Sequence, residues 1–208
     1  MGEKIRREKG VAPLFDRKRM ERGIRLFLEG LGPVVPPGVL RDTPRLVAEA
    51  WTRDLLSGYR KAKEPLLVPL RERPPDSMIV VRGIRFVSIC RHHLLPFQGT
   101  AAVGYLPDRR LAGFSAVARL VEAHARRLQI QEDLSEDILD SLEEALAPRG
   151  AACLLEASHQ CMTCRGAGQP GARVTTLRFR GIFEKEVARR REMSALLNGP
   201  PAGGEGAP

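Results

Sequence analysis

Residues 78–90, MIVVRGIRFVSIC, decide the fold. From Ile84 the run alternates: Ile84, Phe86, Ser88 and Cys90 share one face of an extended chain, and Arg85, Val87 and Ile89 share the other. A period of two marks a β-strand, whose successive side chains point to opposite sides. A second extended run, Phe97–Leu106, is bounded by Pro96 and by Pro107-Asp108. The two runs are expected to pair as antiparallel neighbours.

Outward from this pair the period changes. Val117, Leu120, Val121, Ala125 and Leu128 recur at helical steps, so a helix is expected from Ala116 to about Leu128, with Ser115 as its cap. His124 borders that apolar stripe and reads as a partly buried polar group. A second helix is expected from about Glu132 to Ala147, stopped by Gly150. Strands follow at Ala151–Ser158 and Val174–Phe183, then a charged helix over roughly Glu184–Leu197. Upstream, Phe15–Leu31 reads as a helix broken by GPVVPPG, and Thr43-Pro44 reads as the start of another that Gly58 ends. Strands and helices do not alternate strictly. The order predicts an α+β fold with an antiparallel sheet and helices on one face, plus an N-terminal helical region.

The expected organisation is a flexible start (1–14), a helical region (15–77), a sheet-containing catalytic domain (78–197) and a disordered tail (198–208). Nothing approaches 18 consecutive apolar residues, so no membrane helix is expected. The charged start MGEKIRREKG lacks the apolar centre of an export signal, so the expected location is cytoplasmic. The balance of 34 Lys+Arg against 25 Asp+Glu gives +9 and favours anionic ligands. Aromatics are only 5% of the chain, too few for base-stacking platforms, so nucleic acid is not the expected partner.

The chemistry lies in cysteine and histidine. In a reducing compartment the four cysteines are not expected to form disulfides. Cys90-Arg91-His92-His93 ends one strand and Ser158-His159-Gln160-Cys161 ends another, so two strand ends of one sheet can bring them together. Thiolate and imidazole suit zinc. Cys90, His93 and Cys161 would supply three ligands and leave a position for water, whose pKa zinc lowers from about 15.7 to about 7. His92 and His159 would remain as proton carriers. Cys153 reads as core. A rival reading joins Cys161-Met-Thr-Cys164 to Cys90–His93 as a closed four-ligand structural site, against which stands the long gap between the pairs.

The runs VRGIRFVSICRHHLLPFQGTAAVGYLP, GFSAVARLVEAHARRLQIQEDLSEDI and EASHQCMTCRG, with DTPRLVAEAWTRDLLSGY before them, resemble the GTP cyclohydrolase I family over about residues 40–190. The resemblance implies the tunnelling fold, a toroidal homo-oligomer (typically a decamer) and active sites at subunit interfaces. It implies hydrolytic attack at C8 of guanine, imidazole ring opening, loss of formate, and recyclisation to dihydroneopterin triphosphate. By matched position, Cys90, His93 and Cys161 would hold zinc, and His92 and His159 would be catalytic. Ser115 would lie near the ribose and phosphates, Gln131 and Glu132 at the guanine, and Arg119 and Arg165 at the phosphates.

The chain departs from the family pattern at Arg91 (usually Glu), at Leu46 and Glu49 (usually basic) and at Ala116 (usually Lys). Losing three charge-assisted hydrogen bonds would cost about 4–9 kcal/mol of phosphate binding if they acted independently. Arg91 could replace one. These departures leave open a diverged enzyme that acts on a less phosphorylated purine and releases a ring-opened pyrimidine. A non-catalytic protein with a closed zinc site is the remaining alternative.

Overall fold

The computed structural model describes residues 15–61, 67–70 and 77–199. The expected flexible start at 1–14, parts of the proline-rich stretch (62–66 and 71–76), and 200–208 of the expected tail lie outside these residues. Two compact units divide the chain, one ending at Glu64 and one beginning at Pro65.

The first unit is helical. Helix α1 (Arg17–Gly30) is capped by Asp16, whose carboxylate accepts the Arg19 N–H at 2.9 Å. A 3-10 turn at Gly32–Val34 separates it from α2 (Pro37–Ala50). The expected start at Thr43-Pro44 is therefore too late. Pro36 is extended and Pro37 takes the first helical position, so the helix begins about two turns earlier, without a side-chain cap. Pro44 lies buried inside α2, where it removes one backbone N–H donor from the helix. The helix ends in a π-type turn at Trp51–Leu55, before Gly58, which opens the short helix α3 (Gly58–Lys61). Glu49 faces three guanidinium groups, those of Arg45 at 3.3 Å, Arg17 at 3.9 Å and Arg53 at 4.0 Å.

The second unit contains a two-stranded ladder and a five-stranded sheet. Strand β1 (Pro69–Leu70) pairs with β4 (Leu111–Ala112). The large sheet has the order β5-β2-β3-β6-β7, with β2 at Ile79–Cys90, β3 at Pro96–Leu106, β5 at Leu128–Gln129, β6 at Gly150–His159 and β7 at Val174–Gly181. All neighbours are antiparallel except β5, which runs parallel to β2. The expected pairing of the first two strands is present, from Ile79 opposite Tyr105 to Ile89 opposite Pro96. A register shift between Val81 and Ile84 centres on Gly83, whose φ of 71° is left-handed. It keeps both Val81 and Ile84 against the same core.

Ile84, Phe86, Cys90, Phe97, Ala101, Val103, Tyr105, Cys153, Leu155 and Ala157 bury one face of the sheet. Helices α4 (Phe114–Ala125) and α5 (Gln131–Leu146) cover it with Val117, Leu120, Val121, Leu134, Ile138 and Leu142. This is the α+β arrangement expected, an antiparallel sheet under two helices. The opposite face is not bare. Helix α8 (Val187–Leu197) sets Met193 and Leu197 on Ala102, Leu106, Ala152 and Leu154.

Several boundaries differ from expectation. Gly113, not Ser115, precedes α4, and Ser115 sits exposed in the first turn. Ala147 ends α5 in the left-handed region (φ 45°), with its N–H on Glu143 O at 2.9 Å. Gly150 is instead a strand residue: a Cβ there would meet Ile182 at 2.7 Å and Phe183 at 2.9 Å. The final helix is broken at extended Glu186 into α7 (Ile182–Lys185) and α8. His124 is fully buried and hydrogen-bonds Ser141 Oγ at 2.8 Å through Nε2. Among the described residues no helix is long and apolar enough to cross a membrane.

Candidate metal centre and active site

The centre forms where β2 and β6 end side by side with β3 between them. After Cys90 the chain turns at once: Leu94 N–H donates to Cys90 O and Cys90 N–H to Leu95 O, each at 2.9 Å. Leu94 closes the turn with φ 57°, which costs a residue bearing a Cβ roughly 1–2 kcal/mol. Nothing in the sequence marks Leu94 for that conformation. The turn folds His93 back over Cys90. From the other side β6 passes into a short helix, α6 (Gln160–Thr163), which carries Cys161.

One donor atom from each of Cys90, His93 and Cys161 lies within 4.8 Å of the others. Zinc bonds of ~2.3 Å to sulfur and ~2.0–2.1 Å to nitrogen fit inside that spacing. The donor set, two sulfurs and one imidazole, suits a borderline-soft dication. Burial, and then the neighbouring Cys90 thiol, push the Cys161 thiol up, and Arg165 partly offsets this. Two thiols crowded in this way are a pair that a dication would favour in the thiolate form. The residues therefore fit a metal. Cys164 is outside the group: it is exposed, and its Sγ donates to Gln160 O at 2.8 Å. This removes the sulfur that the closed four-ligand reading requires.

Around the triad lie other expected site residues. His92 Nδ1 is 3.8 Å from Cys90 Sγ, and its ring centroid is 6.3 Å from that of His93. His159 stacks on Phe97 with centroids 4.6 Å apart and rings 5° from parallel. Its Nε2 is 2.8 Å from Gln131 Oε1. Burial holds the His159 pKa below the ordinary imidazole value, opposed by the charge of Glu132. Gln131 is buried at the first residue of α5, and Glu132 beside it is exposed. Arg91 reaches Asp133 at 2.8 Å, so its guanidinium is tied to the first turn of α5. Its own N–H donates to Gln129 O at 3.1 Å, which fastens the turn to β5.

Two expected residues stand apart. Ser115 and Arg119 lie exposed one turn apart on α4, and no hydrogen bond or ion pair joins either to the triad. Ala116, between them, packs into the core under the helix. Sequence reading missed Phe97, Asp133 and Thr176. The strand alternation could have found Phe97, since it lies directly opposite His159 in the β3–β6 register.

The family model for GTP cyclohydrolase I matches residues 20–198. GTP cyclohydrolase 1 of Pelotomaculum thermopropionicum is 38% identical over 187 residues, 89% of this chain and 99% of its own length. The Gloeobacter violaceus protein of that name is 40% identical, covering 91% and 86% of the two chains. The chain belongs to the GTP cyclohydrolase I family. As a member it is an enzyme, a hydrolase of the GTP cyclohydrolase I type. A third relative, GTP cyclohydrolase 1 of Thermobifida fusca, is 39% identical over 193 residues, 91% of this chain and 93% of its own. Among solved structures, apo archaeosine synthase QueF-Like aligns with 52% of this chain and 97% of its own at 16% identity. The TM-score of 0.43 is too low to decide anything further.

Proposed function

We propose that this family member is a zinc-dependent GTP cyclohydrolase I. It hydrolyses the imidazole ring of GTP at C8, releases formate, and rearranges the ribose carbons to 7,8-dihydroneopterin triphosphate. The observation that carries this reading is the convergence of Cys90, His93 and Cys161 donors within 4.8 Å in a chain of this family. A zinc ion held there supplies Lewis acidity, the means of activating water near neutral pH.

The chain's own groups do the rest. The exposed Glu132 carboxylate accepts from the two adjacent N–H donors of the guanine edge, a bidentate match. His159, whose pKa burial lowers, accepts a proton, and His92 beside Cys90 is the second proton carrier. Arg165, whose charge reaches Cys161, faces the negative end of the substrate. Ser115 and Arg119, exposed on α4, bind ribose and phosphate in the site of a neighbouring copy. The proposed state is a cytoplasmic homo-oligomer with shared sites. It engages neither membrane nor nucleic acid.

The test is to incubate zinc-loaded protein with GTP, GDP, GMP and guanosine while following formate and pterin fluorescence. GTP should give both signals and guanosine little of either. Formate without a fluorescent product, or equal turnover of guanosine, would overturn the reading.

A further inference from the structure

Gln131 is a glutamine whose orientation is forced. Its side chain is 1% exposed, so its amide must find partners within the protein. At one end of the amide are Val174 O at 3.0 Å, Leu155 O at 3.2 Å and Thr176 Oγ1 at 3.0 Å. Backbone carbonyls only accept, so that end must be the NH2 group. An oxygen placed there would face two other oxygens. The other end is then necessarily Oε1, which only accepts, and its partner 2.8 Å away is His159 Nε2. A ring nitrogen facing an acceptor carries the proton.

We infer that Gln131 is a positioning residue that fixes His159 as the Nε2–H tautomer and leaves Nδ1 as the ring's proton acceptor. The two strands whose carbonyls orient the amide, β6 and β7, therefore set the protonation pattern of an imidazole at the end of β6. Phe97, stacked flat on the ring, resists its rotation out of this hydrogen bond. The inference rests on the proposed function only in giving His159 a proton to move. It also changes the role that resemblance alone gives Gln131. The amide has both ends engaged within the chain, and Glu132 is left as the residue free to read the base.

The chain has four histidines, so ring-15N-histidine protein gives a countable solid-state NMR spectrum even in a large assembly. The experiment records that spectrum, with and without zinc, for the unaltered protein and for His159→Asn, Gln131→Met and Gln131→Glu. One imidazole should show a protonated Nε2 and an unprotonated Nδ1, and should vanish in His159→Asn. Gln131→Met should mix its tautomers. Gln131→Glu sets an oxygen against the Leu155 and Val174 carbonyls and should also disturb the pattern. A His159 protonated at Nδ1, or a pattern indifferent to Gln131→Met, overturns the inference whether or not the protein turns over GTP. If Gln131→Met fails to fold, the unaltered spectrum still decides. In turnover, Gln131→Met should lower kcat about 10–100-fold with little change in KM. A rise in KM alone would mark Gln131 as a substrate contact and overturn the positioning role.

Discussion

The sulfur-bearing corner at the end of β2 and β6 and the first turns of α4 were both expected to belong to one site, yet they have opposite characters. In the corner, Cys90, His93, Cys161, His92, His159 and Gln131 are joined by contacts between segments far apart in sequence. On α4, Ser115 and Arg119 are exposed and tied to nothing in the corner. Proton-handling and metal-ligating groups need tight placement, and one chain supplies it through strand register. Anion-binding groups on a rigid helix need only be presented. The difference teaches that strand register alone gathers the candidate ligands within one chain, while the exposed residues of α4 are held to nothing there.

The strongest way to break this contrast is to remove a sulfur from the corner. Cys161→Ser should lose bound zinc, counted by metal analysis of purified protein, and lower formate release more than a thousandfold. Cys164→Ser, which changes a sulfur only a turn away, should retain the metal and the activity. X-ray absorption should count two sulfur neighbours in both the unaltered protein and Cys164→Ser. Three sulfurs in the unaltered protein would revive the closed site and end the catalytic reading.

A third thiol sharpens the comparison because it shares β6 with the corner but lies in the core. Burial pushes Cys153 up to about 12, from an ordinary value of 9.0. The folded state therefore keeps a proton that the unfolded chain gives up above pH 9, and stability must fall with rising pH across that window. The stability is fully present below the unfolded value and lost as pH climbs toward the folded one. The slope is at most about 1.4 kcal/mol per pH unit for this one group. Urea unfolding at a series of pH values from 8 to 11 should show the decline, and Cys153→Ala should flatten it. Tyr105, also raised by burial, adds the same sign and is common to both proteins. An equal slope in the variant would mean that Cys153 is not the buried proton holder.

Legibility of these regions in the sequence followed the range of the interactions. The alternation Ile84-Phe86-Ser88-Cys90 is local, so the strand and the residues that share a face could be read directly; the structure buries all four. The triad was legible because cysteine and histidine are scarce and sat at two strand ends. Strand β5 was not, since two residues carry no period. The start of α2 was misread because Pro37 and Pro44 both suit a first helical position, and Thr43 offers the side-chain cap that Pro36 lacks. The left-handed Leu94 and the locked amide of Gln131 were hidden for a deeper reason. Leu94 closes a local turn onto Cys90, the amide is oriented by groups distant in sequence, and neither residue's own chemistry announces it.

Arg119→Ala carries the smallest of the expected effects and bears on the other half of the comparison. An exposed arginine bound to phosphate through charge-assisted hydrogen bonds contributes about 1.5–3 kcal/mol. Its loss should therefore raise KM for GTP roughly 10–150-fold while sparing kcat, because the groups that move protons are untouched. Whether the arginine serves its own chain's corner or a neighbour's is settled by mixing. Coexpressed with Cys161→Ser, the Arg119→Ala chain should regain low-KM turnover in a fraction of sites, where an intact corner meets an intact α4 from the other subunit. Neither variant alone can build such a site. Mixed assemblies that show only the sum of the separate activities would place Arg119 and the triad of one chain in the same site, and α4 would then have to move to reach it.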